Sequence, residues 1–205
     1  MCCDEKTGIQ ALERAYATKP VRPGLVERRE FEYFRHGTSC VIANFFVATG
    51  QVLLSTISPT RTEADFAAHV ARTISSDPEA SWVFIVDQLN THQSASLVEL
   101  VAQHCGLSLD LGKKGKSGHL KSIASRKSFL SDPSHRIRFV YTPKHCSWLN
   151  QVEIWFSILV RRLLKRASFD SLDDLNQRLD EFIRYFNRVL AKPFKWTFTG
   201  RPLQA

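Results

Sequence analysis

The sequence predicts an α/β protein built on one mixed, five-stranded sheet flanked by helices. Three observations carry this. β-prone runs alternate with helical periodicities along the 205 residues. Two of the runs, 41–47 and 52–57, are joined by a short link holding Gly50 and Gln51, which reads as an antiparallel hairpin. A third run, Trp82-Val83-Phe84-Ile85-Val86, is continuously apolar, as in a strand covered on both faces.

Taken in order, residues 2–8 read as the end of a first strand followed by a turn. Residues 10–35, with Pro20, Pro23 and Gly24, read as a long surface connection. After the hairpin, Thr62 is placed to cap a helix in which Phe66, Val70 and Ile74 recur at helical spacing. Pro78 ends that segment. The apolar strand follows and closes on Asp87. A second helix is expected over 94–104, with Leu97, Val98, Leu100 and Val101 inward. Residues 111–133 hold Gly112, Gly115 and Gly118 among Lys113, Lys114, Lys116, Lys121, Arg126 and Lys127. This segment reads as an inserted basic arm spanning about 106–135, with a short helix near 119–130. The alternation of Ile137, Phe139 and Tyr141 marks a fifth strand. Ser147 is expected to cap the next helix, where Leu149, Val152, Phe156, Leu159, Val160 and Leu163 form an apolar stripe that Glu153 shares. Arg161, Arg162, Lys165 and Arg166 project to its other side. Ser171 opens a last helix with Leu172, Leu175, Leu179, Phe182, Phe186 and Val189 inward. Pro193 stops it, and the aromatic tail 194–198 is expected to pack on the body. Layering such elements gives a sheet with helices on it. No internal repeat or low-complexity stretch interrupts the chain.

Composition narrows the function. The chain is 43% hydrophobic and 23% charged, the balance of a folded domain, and long enough for a substantial core. Its net charge of +8 and pI near 9.4 favour polyanionic partners, a property shared with ribosomal and membrane-surface proteins. No apolar run approaches the ~20 residues of a membrane span, and the N-terminus lacks the regions of a signal peptide. The cysteines (Cys2, Cys3, Cys40, Cys105 and Cys146) are odd in number and show no C-x-x-C spacing. They point to a reducing cytosol rather than a zinc module or disulfide scaffold.

Three acids stand among apolar neighbours: Asp4, Asp87 and Glu153. Burying a carboxylate without a partner is costly, and a divalent metal is the usual partner of such a cluster. Asp4 and Asp87 are read as closing the first and a later, central strand; if those strands are neighbours, their carboxylates meet at one edge. Glu153 approaches from a helix packed on the sheet. Three converging carboxylates hold two Mg²⁺ ions roughly 4 Å apart, the clamp for in-line phosphoryl displacement. Each acid also has a plainer reading: Asp4 as a turn residue, Asp87 as the opening of a loop, Glu153 as the partner of a buried Arg. Asn90, His92, His145 and Asn150 are candidate site-lining residues, with His92 equally suited to cap the following helix. The basic arm, Lys144, and Arg161 with Arg162 are candidate phosphate contacts or solvated charges.

The motifs Asp4-Glu5-Lys6-Thr7-Gly8, Arg35-His36-Gly37-Thr38, Val86-Asp87-Gln88-Leu89-Asn90-Thr91-His92, and 142–153 (Thr-Pro-Lys-His-Cys-Ser-Trp-Leu-Asn-Gln-Val-Glu) resemble the DDE transposases of bacterial insertion sequences, in the branch related to mariner elements. So does Lys192-Pro193-Phe194-Lys195-Trp196. The resemblance covers nearly the whole chain, and the block ending in Glu153 is its most specific part. It implies a ribonuclease-H-like fold and a single catalytic domain over 1–205. It further implies catalytic and metal-binding roles for Asp4, Asp87 and Glu153, with Mg²⁺ or substitute Mn²⁺ as two bound ions. The implied partners are double-stranded DNA (element ends and target) and further copies of the chain in a dimer or larger assembly, in the bacterial cytoplasm at the nucleoid and away from membranes. Two departures stand out. The 65 residues between Asp87 and Glu153 exceed the spacing of mariner relatives. The helix-turn-helix region that precedes the first aspartate in the family is absent from this sequence, and the first strand is expected to be clipped. Alternatives are a catalytically silent remnant that binds DNA or regulates a full-length transposase, and a nuclease acting on RNA–DNA hybrids.

Overall fold

The computed structural model describes residues 1–193; the expected packing of the 194–198 tail lies outside them. The five strands are β1 (Cys2–Arg14), β2 (Tyr33–Phe46), β3 (Gln51–Ser58), β4 (Trp82–Val86) and β5 (Ile137–Tyr141). They form one sheet in the order β3-β2-β1-β4-β5. β1, β2 and β3 pair antiparallel, while β1–β4 and β4–β5 pair parallel. The mixed five-stranded sheet flanked by helices is the ribonuclease-H-like arrangement.

Helices cover both faces. On one lie α1 (Glu63–Ser76), α2 (Ala95–His104) and α3 (Ile123–Leu130), with Phe66, Val70, Leu97, Val101 and Leu130 in a core against Phe84 and Phe139. On the other lie α4 (Val152–Leu159) and α5 (Leu172–Tyr185), with Trp155, Phe156, Leu175 and Leu179 against Val41, Ala43 and Phe45. Local chemistry starts these helices where the sequence predicts. Thr62 makes a capping box with Asp65, and the hydroxyls of Ser94 and Ser171 accept from Leu97 N–H and Asp174 N–H.

Four expectations are corrected. The first strand is longer than expected, and Asp4 does not end it. It runs 13 residues to Arg14, because Gly8, at φ +66°, sits in a bulge that lets the ladder with β2 resume at Ile9. The expected surface connection therefore begins only after Arg14 and returns as the first half of β2. The basic segment is not a projecting arm: its Leu120, Phe129 and Leu130 are buried in the α1–α3 core. Ser147 caps no α-helix. It opens a 3₁₀ turn, Ser147–Leu149, and α4 begins only at Val152. Val189, expected on the inner face of the last helix, is exposed.

The end of α5 is tied to the hairpin. Asn187 accepts from Val52 N–H and donates to Val52 C=O at 2.9 and 2.7 Å. Gly50, at φ +72°, lies so close that a Cβ there would stand 1.9 Å from the carbonyl oxygen of Lys192. Gly50→Ala is therefore expected to lower stability by at least about 1–3 kcal/mol, from backbone strain alone, read as a shift of the urea midpoint.

His69 supplies a pH dependence. It is fully buried beneath β3, its Nδ1 2.8 Å from the Thr56 hydroxyl and its Nε2 without a hydrogen-bond partner. Burial, aided by Arg72, holds its pKa down to about 3 against an ordinary 6.5. Above pH 6.5 neither folded nor unfolded chain protonates it. Below 6.5 the unfolded chain takes up a proton that the folded one refuses, so stability is lost as pH falls towards 3. The loss reaches about 2 kcal/mol by pH 5. His69→Gln should flatten this acid limb, measured as the difference in urea midpoint between pH 7.5 and pH 5.

Candidate metal centre

The site begins with a register. Cys2 of β1 lies beside Ile85 of β4 in the parallel contact. Two residues further along each chain are Asp4 and Asp87, on the same sheet face because side chains alternate. Their carboxylates are thus side by side. The β1 backbone is fixed there by Ile85 N–H donating to Met1 C=O at 2.7 Å.

Asp4 is buried. Its Oδ1 accepts from Glu5 N–H at 2.8 Å, and its Oδ2 from the Asn150 side-chain amide at 3.3 Å. The same amide donates to Cys3 C=O at 2.9 Å, and the buried Asn150 Oδ1 has no hydrogen-bond partner. Burial pushes the Asp4 pKa up, to about 8, with the charge of Asp87 adding to the rise and His92 opposing it. Asp87 follows β4 and is partly exposed. Its Oδ1 accepts from Leu89 N–H at 2.9 Å and stands 2.8 Å from His92 Nδ1. Burial would raise its pKa, but these contacts outweigh it and leave it below the ordinary value.

Behind the two aspartates lies a buried pair that the sequence analysis missed. Glu5 points to the opposite face from Asp4, and its side chain is 1% exposed. His92 is fully buried in the 3₁₀ turn Asn90–Gln93 that follows Asp87. Its Nε2 is 2.8 Å from Glu5 Oε2, and its Nδ1 faces Asp87 out of good hydrogen-bond alignment. Thr91 donates a long bond of 3.3 Å to Glu5 Oε1, and Tyr141 O–H donates to His92 C=O at 2.8 Å. Burial lowers the His92 pKa, but the contacts with Asp87 and Glu5 prevail and carry it up to about 9. Burial likewise raises Glu5, yet the bond and charge of His92 leave it lowered. At neutral pH the arrangement is an imidazolium between two carboxylates. The one sequence feature pointing to Glu5 is the acidic doublet: adjacent strand residues face opposite sides, so one of the two enters a core.

Ligand atoms of Asp4, Asp87 and His92 all lie within 4.8 Å of one another. Glu153 is not a member of this group. It lies half-buried in the first turn of α4, on the same sheet face, beside a cleft with Lys6 and Arg161. Burial raises its pKa, Lys6 opposes and Asp87 adds to the rise, so it stands within electrostatic reach of Asp87. Of the other predicted lining residues, Asn150 is at the site, while Asn90 and His145 are exposed and no hydrogen bond joins them to the carboxylates.

The donor set fits a hard divalent cation. Asp4 and Asp87 offer oxygens, Asn150 Oδ1 offers another, and a cation would return the Asp4 proton to solvent. His92 Nδ1 lies within the same group of possible ligand atoms, while its Nε2 is engaged by Glu5. The expected phosphate contacts divide. Lys113, Lys116, Lys121 and Lys144 are exposed, as are Arg161 and Arg162, while Lys114 pairs with Glu63 at 3.0 Å. Arg126 is drawn inward, donating to Gln93 C=O and Leu120 C=O. Lys127 donates to Gln88 Oε1 at 2.9 Å and lies over the Tyr141 ring.

The structure is thus a ribonuclease-H-like sheet carrying paired acids at adjacent strands. The profile described as "DDE superfamily endonuclease" matches residues 1–176, and the chain belongs to that family. No curated protein matches the sequence. Among solved structures, the Mos1 transposase paired-end complex with left transposon end superposes with a TM-score of 0.55 at 14% identity, covering 89% of this chain and 46% of that one. The Mos1 mariner paired end complex with Mn gives 0.54 at 14% identity, with 89% and 47% covered. A pre-cleavage Mos1 transpososome gives 0.55 at 13%. This chain spans just under half the length of the Mos1 chains it matches.

The buried pair has a measurable consequence. His92→Leu strands Glu5 as an uncompensated buried charge and should cost about 3–5 kcal/mol in metal-free buffer. The double variant Glu5→Gln/His92→Gln should be clearly more stable than His92→Leu. Urea unfolding of both reads this, and equal destabilisation would contradict the pairing.

Proposed function

We propose that this chain is the catalytic domain of a DNA transposase, of the bacterial insertion-sequence kind related to mariner elements. It cuts a DNA strand at the end of an element and joins the freed 3′-hydroxyl to target DNA. The observation that carries the reading is the placing of Asp4 and Asp87 side by side, with Glu153 on the same face. Family membership supports the nuclease chemistry. The titles of the similar structures, which name transposon ends and Mn, support DNA and a divalent ion as partners.

Two Mg²⁺ ions, or Mn²⁺ in their place, held by Asp4, Asp87 and Glu153, supply the charge that activates the attacking oxygen and stabilises the leaving one. The protein's own part is positioning. Leu89 N–H and His92 fix Asp87 Oδ1, and no hydrogen bond among the described residues occupies its Oδ2. Asn150 orients Asp4 against the β1 backbone. Glu5 favours the protonated form of His92, and His92 in turn favours the ionised form of Asp87. Lys113, Lys114, Lys116, Lys121, Lys144, Arg161 and Arg162 contact phosphates. Arg126 and Lys127 serve DNA indirectly, by holding the loops that carry His92 and Gln88. The domain spans 1–205 and acts as a homodimer or larger assembly in the cytoplasm, at the nucleoid. No helix among the described residues is long and apolar enough to cross a membrane.

Supercoiled DNA carrying the element's ends, incubated with Mg²⁺ or Mn²⁺, should be nicked or linearised by the wild type. Asp87→Asn should retain DNA binding and lose cutting. Undiminished cutting by that variant would remove Asp87 from the centre. Cutting confined to RNA–DNA hybrids would favour the hybrid nuclease. A folded, DNA-binding protein that cuts nothing would be the silent remnant.

A further inference from the structure

α4 and α5 leave regular helix geometry at facing positions. α4 passes into a π turn, Val160–Leu164, and α5 into another, Phe186–Leu190. π turns are rare and concentrate at functional sites. Here both line one cavity of about 680 Å³. Ile158, Phe186 and Leu190 make its apolar part, and Arg161, Arg162, Arg166 and Lys192 supply four cations.

Among the described residues, no carboxylate lies within 4.0 Å of any of these four charges. Arg161 Nε donates to Ser157 C=O at 3.2 Å, which steadies its stem and leaves its terminal nitrogens. Arg166 also borders a smaller pocket with Arg14 and Arg29, and its charge reaches Glu27, an acid already paired with Arg29 at 2.7 Å. Like charges gathered around low-dielectric walls focus a positive potential, which an anion relieves. The cavity has a neighbouring cleft on the Glu153 side. The cleft beside Glu153, lined by Lys6, Phe156 and Ser157, shares Arg161 with it.

Resting on the transposase reading above, we propose that this cavity is a separate contact for one unpaired DNA strand running from the acidic centre. The cations take its phosphates. The partly exposed apolar side chains of Ile158 and Leu190 take a sugar and the face of a base, a surface that a duplex keeps stacked inside. Duplex beyond the cavity is held by other cations, so the cavity distinguishes strand from duplex.

The test is fluorescence anisotropy of single-stranded and duplex oligonucleotides in EDTA, as a function of salt, so that binding is read without cleavage. The variant is Arg162→Ala/Arg166→Ala/Lys192→Ala, three exposed side chains whose loss leaves the core intact. Arg72→Ala, on α1 across the sheet, is the control. For single strands, three lost phosphate contacts should reduce the slope of log affinity against log salt by roughly 2. Arg72→Ala should leave it unchanged. Wild-type slopes in the triple variant would overturn the cavity while leaving the transposase reading to the cleavage assay. A reduction confined to duplex DNA would overturn the strand assignment. A wild type that binds neither DNA would overturn the cavity contact outright.

Discussion

The site depends on one short contact, the parallel pairing that sets Cys2 beside Ile85. A shift of one residue would turn either Asp4 or Asp87 to the opposite face of the sheet. With the register fixed, two acids are forced together in a place that water only partly reaches. That is unfavourable for two bare carboxylates, and the protein answers it in three ways. Asp4 is raised towards its neutral form, a buried imidazolium stands behind Asp87, and Glu5 balances that imidazolium. The centre is therefore prepared for a cation while remaining tolerable without one.

The positive charge is arranged with equal selectivity. Part of it is structural: Arg126 and Lys127 bond to loop carbonyls and to Gln88, stiffening the segment that carries Asp87 and His92. Another part lines the outer side of α4 and the π turns, where no salt bridge holds Arg161, Arg162, Arg166 or Lys192 among the described residues. A negative knot set within a positive surround draws a polyanion and orients it across the acids. The π turns contribute by placing Arg161 and Arg162 on one helix and Phe186 and Leu190 on the other against the cavity.

Much of the frame is local and was legible in the sequence. Thr62, Ser94 and Ser171 cap helices because their hydroxyls reach N–H groups three residues on. The hairpin, the apolar β4 and the alternation in β5 follow from short-range patterns. Asp4 and Asp87 were candidates for one site if their strands were neighbours, as β1 and β4 are, and Asn150 was a candidate lining residue. What failed was non-local. β1 continues past Gly8 only because β2 returns to pair with it, and the exposed residues 33–38 of β2 leave little hydrophobic pattern to read. The 3₁₀ turn at Ser147 replaces a helical start where Asn150 is engaged with Asp4 and Cys3. The basic segment was read by its charge, yet Leu120, Phe129 and Leu130 carry it into the core.

By itself, then, the sequence determined most element types and the sheet flanked by helices, because capping, periodicity and alternation act over a few residues; its motifs singled out the acids that the proposed chemistry uses. Only the tertiary structure decided that Glu5 and His92 form a buried ion pair, that Glu153 stands beside the carboxylate group rather than within it, and that two π turns close on one cationic cavity. Each of these is set by burial and by groups tens of residues apart in the chain, and neither quantity is written in local order.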